Sequence, residues 1–213
     1  MKIKLQNVLP EEIEKRSFEM ITSELGERTF LPEQELIIKR AIHTSADFDY
    51  ADNLKFSENA VQKAAEAIRN GACIVTDTQM AKSGINKKML EKFGGEVFCF
   101  MSDEDIAQIA KENGTTRATA CMDKAAGLGK PLIFAIGNAP TALVRLYELM
   151  SEGKLKPELI IGVPVGFVNV VESKELIMDT NVPYIVAAGR KGGSNIAAAI
   201  CNAILYMIRD DKI

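Results

Sequence analysis

Five apolar runs in this chain lack the polar alternation of a half-exposed strand, and a helical pattern follows each: residues 72–75, 96–100, 131–136, 159–163 and 183–187. A strand that is apolar on both faces needs cover on both. The segments near residues 86–92, 103–112, 116–127, 140–151, 169–178 and 194–208 supply it, with apolar side chains recurring at helical spacing. The pattern predicts an α/β fold, a three-layer αβα domain with a mostly parallel sheet. Helices precede it. Residues 10–25 carry Ile13, Phe18, Ile21 and Leu25 and close on Gly26, and residues 32–42 carry Leu36, Ile37, Ala41 and Ile42. Ser57 is read as the N-cap of a further helix that runs to Asn70-Gly71. No linker, repeat or low-complexity segment breaks residues 1–213, so a single domain is expected.

With 47% hydrophobic and 26% charged residues the chain can bury a core and is not disordered. There is no Trp, so that core rests on Ile, Val, Leu, Ala and Met. A net charge of −3 gives no overall footprint for nucleic acid or an anionic membrane, and any anionic ligand must be held by local cations and backbone N–H groups. The opening MKIKLQNVLPEEIEKR lacks the apolar core and cleavage site of a secretory leader. The longest apolar stretch, residues 159–171, is interrupted by Gly162, Pro164, Gly166 and Asn169 and is too short to span a bilayer. Cys73, Cys99, Cys121 and Cys201 are widely spaced, as buried free thiols in a reducing cytoplasm would be. One histidine and no CxxC pair exclude a zinc site, and no protein-held metal is expected.

Ligands of such sheets bind beyond the carboxyl ends of the strands. Here those ends lead into Thr76-Asp77-Thr78-Gln79-Met80, Gly137-Asn138-Ala139-Pro140-Thr141, Pro164-Val165-Gly166-Phe167 and Gly189-Arg190-Lys191-Gly192-Gly193-Ser194. The last, a glycine-rich turn with two cations before an Ala-rich helix, has the makings of an anion site. Tight helix–strand packing would explain Gly192 and Gly193 equally, but not Arg190 and Lys191. Dinucleotide and P-loop readings fail on spacing, since GxGxxG is absent and Gly129-Lys130 lacks both flanking requirements. Arg117, after Thr115-Thr116 at a helix start, reads either as a carboxylate clamp or as an ordinary surface residue. Pro140-Thr141 reads as a helix start with amides free at the rim.

His43 is the sole histidine. An unperturbed imidazole titrates near ~6.5, so this side chain suits proton exchange at neutral pH; a structural imidazole at a helix C-terminus is the other reading. Thr44, Ser45 and Asp47 are candidates to orient it. Asp47, Asp49 and Asp52 also raise a Mg²⁺ reading, that of a phosphohydrolase with an aspartyl nucleophile, but no apolar strand precedes them, and a solvated turn with one or two orienting carboxylates fits better.

Six stretches, in this order, resemble the precorrin-8 methylmutase family: RAIHTSADFDYADNLKFS (residues 40–57), VTDTQMAKSGI (75–85), TTRATACMDKA (115–125), AIGNAPTALVRLYEL (135–149), IIGVPVGFVNVVESKELIM (160–178) and GRKGGSNIAAAICNAILY (189–206). The resemblance implies a homodimeric α/β enzyme acting on a polycarboxylated tetrapyrrole. It moves a methyl group between adjacent carbons at ring C, without redox change, external methyl donor or cofactor, and the product is hydrogenobyrinate or its cobalt form. Cobalt, where present, belongs to the substrate. Of the residues, the resemblance implies His43 as acid/base with Thr44 or Asp47 orienting it, and Arg117, Arg190 and Lys191 as carboxylate holders. The backbone around Gly137, Asn138 and Thr141 and around Gly192, Gly193 and Ser194 joins them, with Thr76 and Met80 on the macrocycle face and Ser17 a further contact. Two other functions stay open at this point: a tetrapyrrole carrier that does not convert its ligand, and the Mg²⁺-dependent phosphohydrolase.

Overall fold

In a computed structural model, which describes residues 8–213, six strands form one sheet in the order β1-β6-β5-β4-β2-β3. They are β1 (Leu54–Phe56), β2 (Cys73–Thr76), β3 (Val97–Phe98), β4 (Leu132–Ile136), β5 (Leu159–Gly162) and β6 (Tyr184–Ala187). All neighbours are parallel except β1, which runs antiparallel to β6 at one edge. The first seven residues of the opening MKIKLQNVLPEEIEKR, on which the expectation about a secretory leader rests, lie outside the described residues.

Along β4 the burial shows why the apolar runs have no polar partner. Leu132, Phe134 and Ile136 join one core cluster, Ile133 and Ala135 the other, and all are buried. The first cluster packs the sheet against α7 (Glu104–Glu112), α8 (Arg117–Ala126), α9 (Pro140–Ser151) and α10 (Val170–Met178). The second packs it against α2 (Pro32–Ser45), α4 (Ala60–Arg69), α5 (Gln79–Gly84), α6 (Lys87–Glu91) and α11 (Ser194–Arg209), with α1 (Ile13–Leu25) and the one-turn α3 (Tyr50–Asn53) on the same side. The expected three-layer αβα arrangement is thus what forms. Helix α11 lies between sheet and α2, and Ala197, Ala198, Ala199 and Ala203 on it are all buried, small enough for close approach.

Three local expectations change. Strand β1 was not read from the sequence, and residues 96–100 contract to Val97–Phe98, an edge strand paired only with β2. Ser57 caps no helix. The helix starts at Ala60 after Asn59 turns left-handed at φ 55, and the Ser57 hydroxyl instead accepts the Tyr184 N–H at 2.9 Å, prolonging the β1–β6 pairing.

Candidate active site

The loops after β2, β4, β5 and β6 meet at one rim, and a buried carboxylate ties two of them together. Asp77 is fully buried and accepts the N–H groups of Gly137 at 2.9 Å, Asn138 at 2.8 Å and Ala139 at 2.6 Å. Burial pushes its carboxyl above the usual range, and the backbone donors oppose that rise. The rim amides expected to hold substrate carboxylates at Gly137 and Asn138 are therefore already spent. Gly137 serves packing instead: a Cβ there would lie 2.7 Å from Ser194 Cα. The side chain of Asn138 stays exposed at the rim. Thr141 is exposed and its hydroxyl lies 3.0 Å from that of Thr116, the N-cap of α8. This brings Thr141 beside Arg117, an exposed residue with no ion-pair partner within 4.0 Å among the described residues.

Thr76 is a correction of the same kind. It is fully buried, and its hydroxyl donates to the carbonyls of Thr78 and Phe98, so it cannot face a macrocycle. Met80, 69% exposed, can. The sequence reading missed Thr78, which caps α5 and places its hydroxyl 2.7 Å from that of Ser194, joining the β2 loop to the start of α11.

In the turn of residues 189–193, Gly192 is indispensable: a Cβ would sit 2.1 Å from the carbonyl oxygen of Val163. Gly193 has φ 142, which side chains rarely adopt, and its N–H donates to that same oxygen at 2.9 Å. Lys191 is exposed but committed, 2.7 Å from Asp47 and 2.5 Å from Asp49, hydrogen bonds that hold its ammonium well above the usual lysine range and the Asp47 carboxyl below its own. Asp52 pairs with Arg28 at 3.1 Å. The aspartates proposed for Mg²⁺ thus carry their own cations, and no group of three or more potential metal ligands occurs among the described residues. Arg190 lies over the Phe167 ring at 5.6 Å, without a carboxylate partner among the described residues. Beneath the turn, buried Lys174 donates to the carbonyls of Gly189 at 2.7 Å and Lys191 at 2.9 Å; it too escaped the sequence reading.

His43 projects from the last turns of α2 into a cleft of about 280 Å³ whose floor is α11, with Asn195, Ala198, Ala199 and Asn202, and whose far side is Gly84. Its ring lies 5.4 Å from that of Phe18 on α1 and makes no hydrogen bond to any described residue. Neither Thr44 nor Asp47 orients it; Asp47 is taken by Lys191 and by the Asp49 N–H at 3.0 Å. Asn202 shapes the cleft wall, donating to Gly84 O and accepting from Asn86 N, both at 2.8 Å. A neighbouring cleft of about 590 Å³ shares Arg40 and Tyr206 with the first. The Arg40 guanidinium is 4.9 Å from the Phe18 ring centroid and 2.7 Å from Glu14, whose carboxyl it holds below the usual range. Ser17, next to Phe18, donates to the Ile13 carbonyl at 2.8 Å. The structure therefore groups His43, Thr44 and the start of α11 at one cleft, and Arg117 with Thr141 at another part of the rim.

The sequence profile of the precorrin-8X methylmutase family matches residues 12–207. A relative named cobalt-precorrin-8 methylmutase, from Priestia megaterium, is 49% identical over 92% of this chain and 88% of its own length. One named precorrin-8X methylmutase, from Pseudomonas aeruginosa, is 36% identical over 90% of this chain and 93% of its own. The crystal structure of precorrin-8X methylmutase from Thermus thermophilus superposes with a TM-score of 0.86 at 37% identity, covering 95% of this chain and all of that one. By profile, identity and fold together, this chain belongs to the precorrin-8X methylmutase family.

Proposed function

We propose that this chain isomerises precorrin-8X to hydrogenobyrinate, or cobalt-precorrin-8 to cobyrinate, with His43 as its acid/base. The observation that supports this most is the setting of His43. The only imidazole in the chain stands in a cleft, with no hydrogen-bond partner among the described residues, over the small-residue floor of a helix whose N-terminus follows an amide-rich turn. A tetrapyrrole with many carboxylates needs such distributed anion contacts, and Arg190, Arg117, Thr141 and the turn at 189–194 provide them.

The chemistry asks little else of the protein. The imidazolium gives a proton to the ring-C nitrogen, the bond from one ring carbon to the methyl breaks as the bond to its neighbour forms, and the proton returns. Atoms and oxidation level are conserved, so no nucleophile or redox partner is required. Acid catalysis of this kind is worth about 10²–10⁴-fold, and a cleft that fixes the ring geometry supplies more. Cobalt, where present, belongs to the substrate. The chain acts as one domain, in the cytoplasm, as a homodimer; its cysteines are free and buried, and Val165, Phe167 and Val168 form an exposed apolar loop that a second copy would cover.

Anaerobic incubation with precorrin-8X and with cobalt-precorrin-8, followed by absorption spectroscopy, tests the assignment. Catalytic growth of the corrin spectrum is expected, and His43→Ala is expected to lower kcat at least about 10²-fold while still binding hydrogenobyrinate. Stoichiometric binding without conversion would make the protein a carrier. Wild-type turnover by His43→Ala would remove His43 from the mechanism.

A further inference from the structure

Lys174 on α10 is fully buried, and its ammonium donates to the carbonyls of Gly189 and Lys191 at 2.7 and 2.9 Å. Lysines this buried are normally paired with a carboxylate, and among the described residues this one has none within 4.0 Å. Two of its protons are used; no described residue accepts the third.

The turn above it is polarised in the matching sense. The carbonyls of Gly189, Arg190 and Lys191 are all engaged, by Lys174, by the Gly166 N–H at 3.2 Å and by Lys174 again. The N–H groups of Gly189, Arg190, Lys191 and Gly192 donate to no described residue, and neither do those of Ser194, Asn195 and Ile196 at the start of α11. A loop whose oxygens are occupied and whose amides are free receives anions. The exposed cations of the turn do not explain this bias, because Lys191 is spent on Asp47 and Asp49 and Arg190 lies over Phe167.

We propose that Lys174 is a positioning residue for carboxylate recognition: it draws the carbonyls of the turn downward, leaves the amides of residues 189–192 facing the ligand, and sets a buried positive charge beneath them. The proposal rests on the tetrapyrrole reading above, which makes a substrate carboxylate the anion received. Desolvation brings the Lys174 ammonium down to about 8. The amine left above that pH still has two N–H bonds for Gly189 and Lys191, so deprotonation removes the charge and keeps the tether.

Binding of hydrogenobyrinate, followed by its absorption, and turnover of precorrin-8X test this on wild type, Lys174→Met and Lys174→Arg. Lys174→Met should raise Kd and KM by about tenfold or more, with kcat within about threefold, and Lys174→Arg should recover much of the loss. Wild-type binding should also weaken as pH rises through about 8 relative to Lys174→Arg, which keeps its charge. On α10 and the elements packed against it, Glu172 and Glu175 face solvent, Arg145 is bound to Asp123 and Glu148, and the remaining titratable side chains are Tyr147 and Tyr184; all are shared by wild type and Lys174→Arg, so the comparison isolates Lys174. Wild-type affinity in Lys174→Met, a loss confined to kcat, or parallel pH profiles for wild type and Lys174→Arg would each overturn the proposal. The last comparison decides even if Lys174→Met does not fold. A wild-type protein that neither binds hydrogenobyrinate nor converts precorrin-8X overturns the functional reading, and this proposal with it.

Discussion

Asp77 and Lys174 carry opposite charges, both are fully buried, and each is met by backbone rather than by a side chain of opposite sign. Between them they fix two of the rim loops, one by its amides and one by its carbonyls. Asp77→Ala would strand three N–H groups in the β4 loop, and unfolding in urea should show a loss of about 3 kcal/mol; Asp77→Asn, whose amide oxygen still accepts, should lose less. Unchanged stability in Asp77→Ala would mean that water replaces the carboxylate without cost. Such residues are the part of the site that sequence reading does not reach. An aspartate in TDTQ reads as loop and a lysine in ESKEL as a solvated helix face, and no spacing reveals that either side chain folds inward. The pairing of Lys191 with Asp47 and Asp49 is invisible for a related reason, since the partners lie at opposite ends of the chain. His43 stands out as a candidate in the sequence because it is the only histidine. The amides of Gly137 and Asn138 were misread because their acceptor comes from a different loop.

Among the secondary-structure elements, the five apolar runs were legible because a strand covered on both faces has no polar alternation to blur it. What escaped was short. Strand β1 has three residues and borrows its pairing from β6, while α5 has six and depends on the Thr78 cap more than on any periodicity. The turn between β6 and α11 was legible as glycine-rich, but the reason for each glycine needed coordinates. Gly192→Ala would drive a Cβ into the Val163 carbonyl, a clash with backbone that no rotamer relieves. This substitution should cost about 2 kcal/mol or more in denaturant unfolding and weaken hydrogenobyrinate binding. Full affinity with native stability would show that the turn can swing off β5 without losing its function.

For the molecule as a whole, burial pushes the thiols of Cys121 and Cys201 up to about 12, so neither is a ready nucleophile, and no disulfide reinforces the packing of the core. The loop after β5 stands outside that packing: Val165, Phe167 and Val168 are 49%, 82% and 78% exposed. If a second copy covers it, sedimentation should give twice the 23.3 kDa chain mass, and Phe167→Asp should shift the species toward one chain. Sedimentation as a single chain at micromolar concentration would remove the dimer from the functional reading. Helix α11 has a consequence at this same scale. Its 16 residues span about 24 Å at ~1.5 Å each, from the amide-rich turn at Ser194 to the Arg40–Tyr206 cleft near its other end. One rigid element therefore borders the turn at Ser194, the His43 cleft and the Arg40–Tyr206 cleft, so a break in the middle of α11 would disturb all three together.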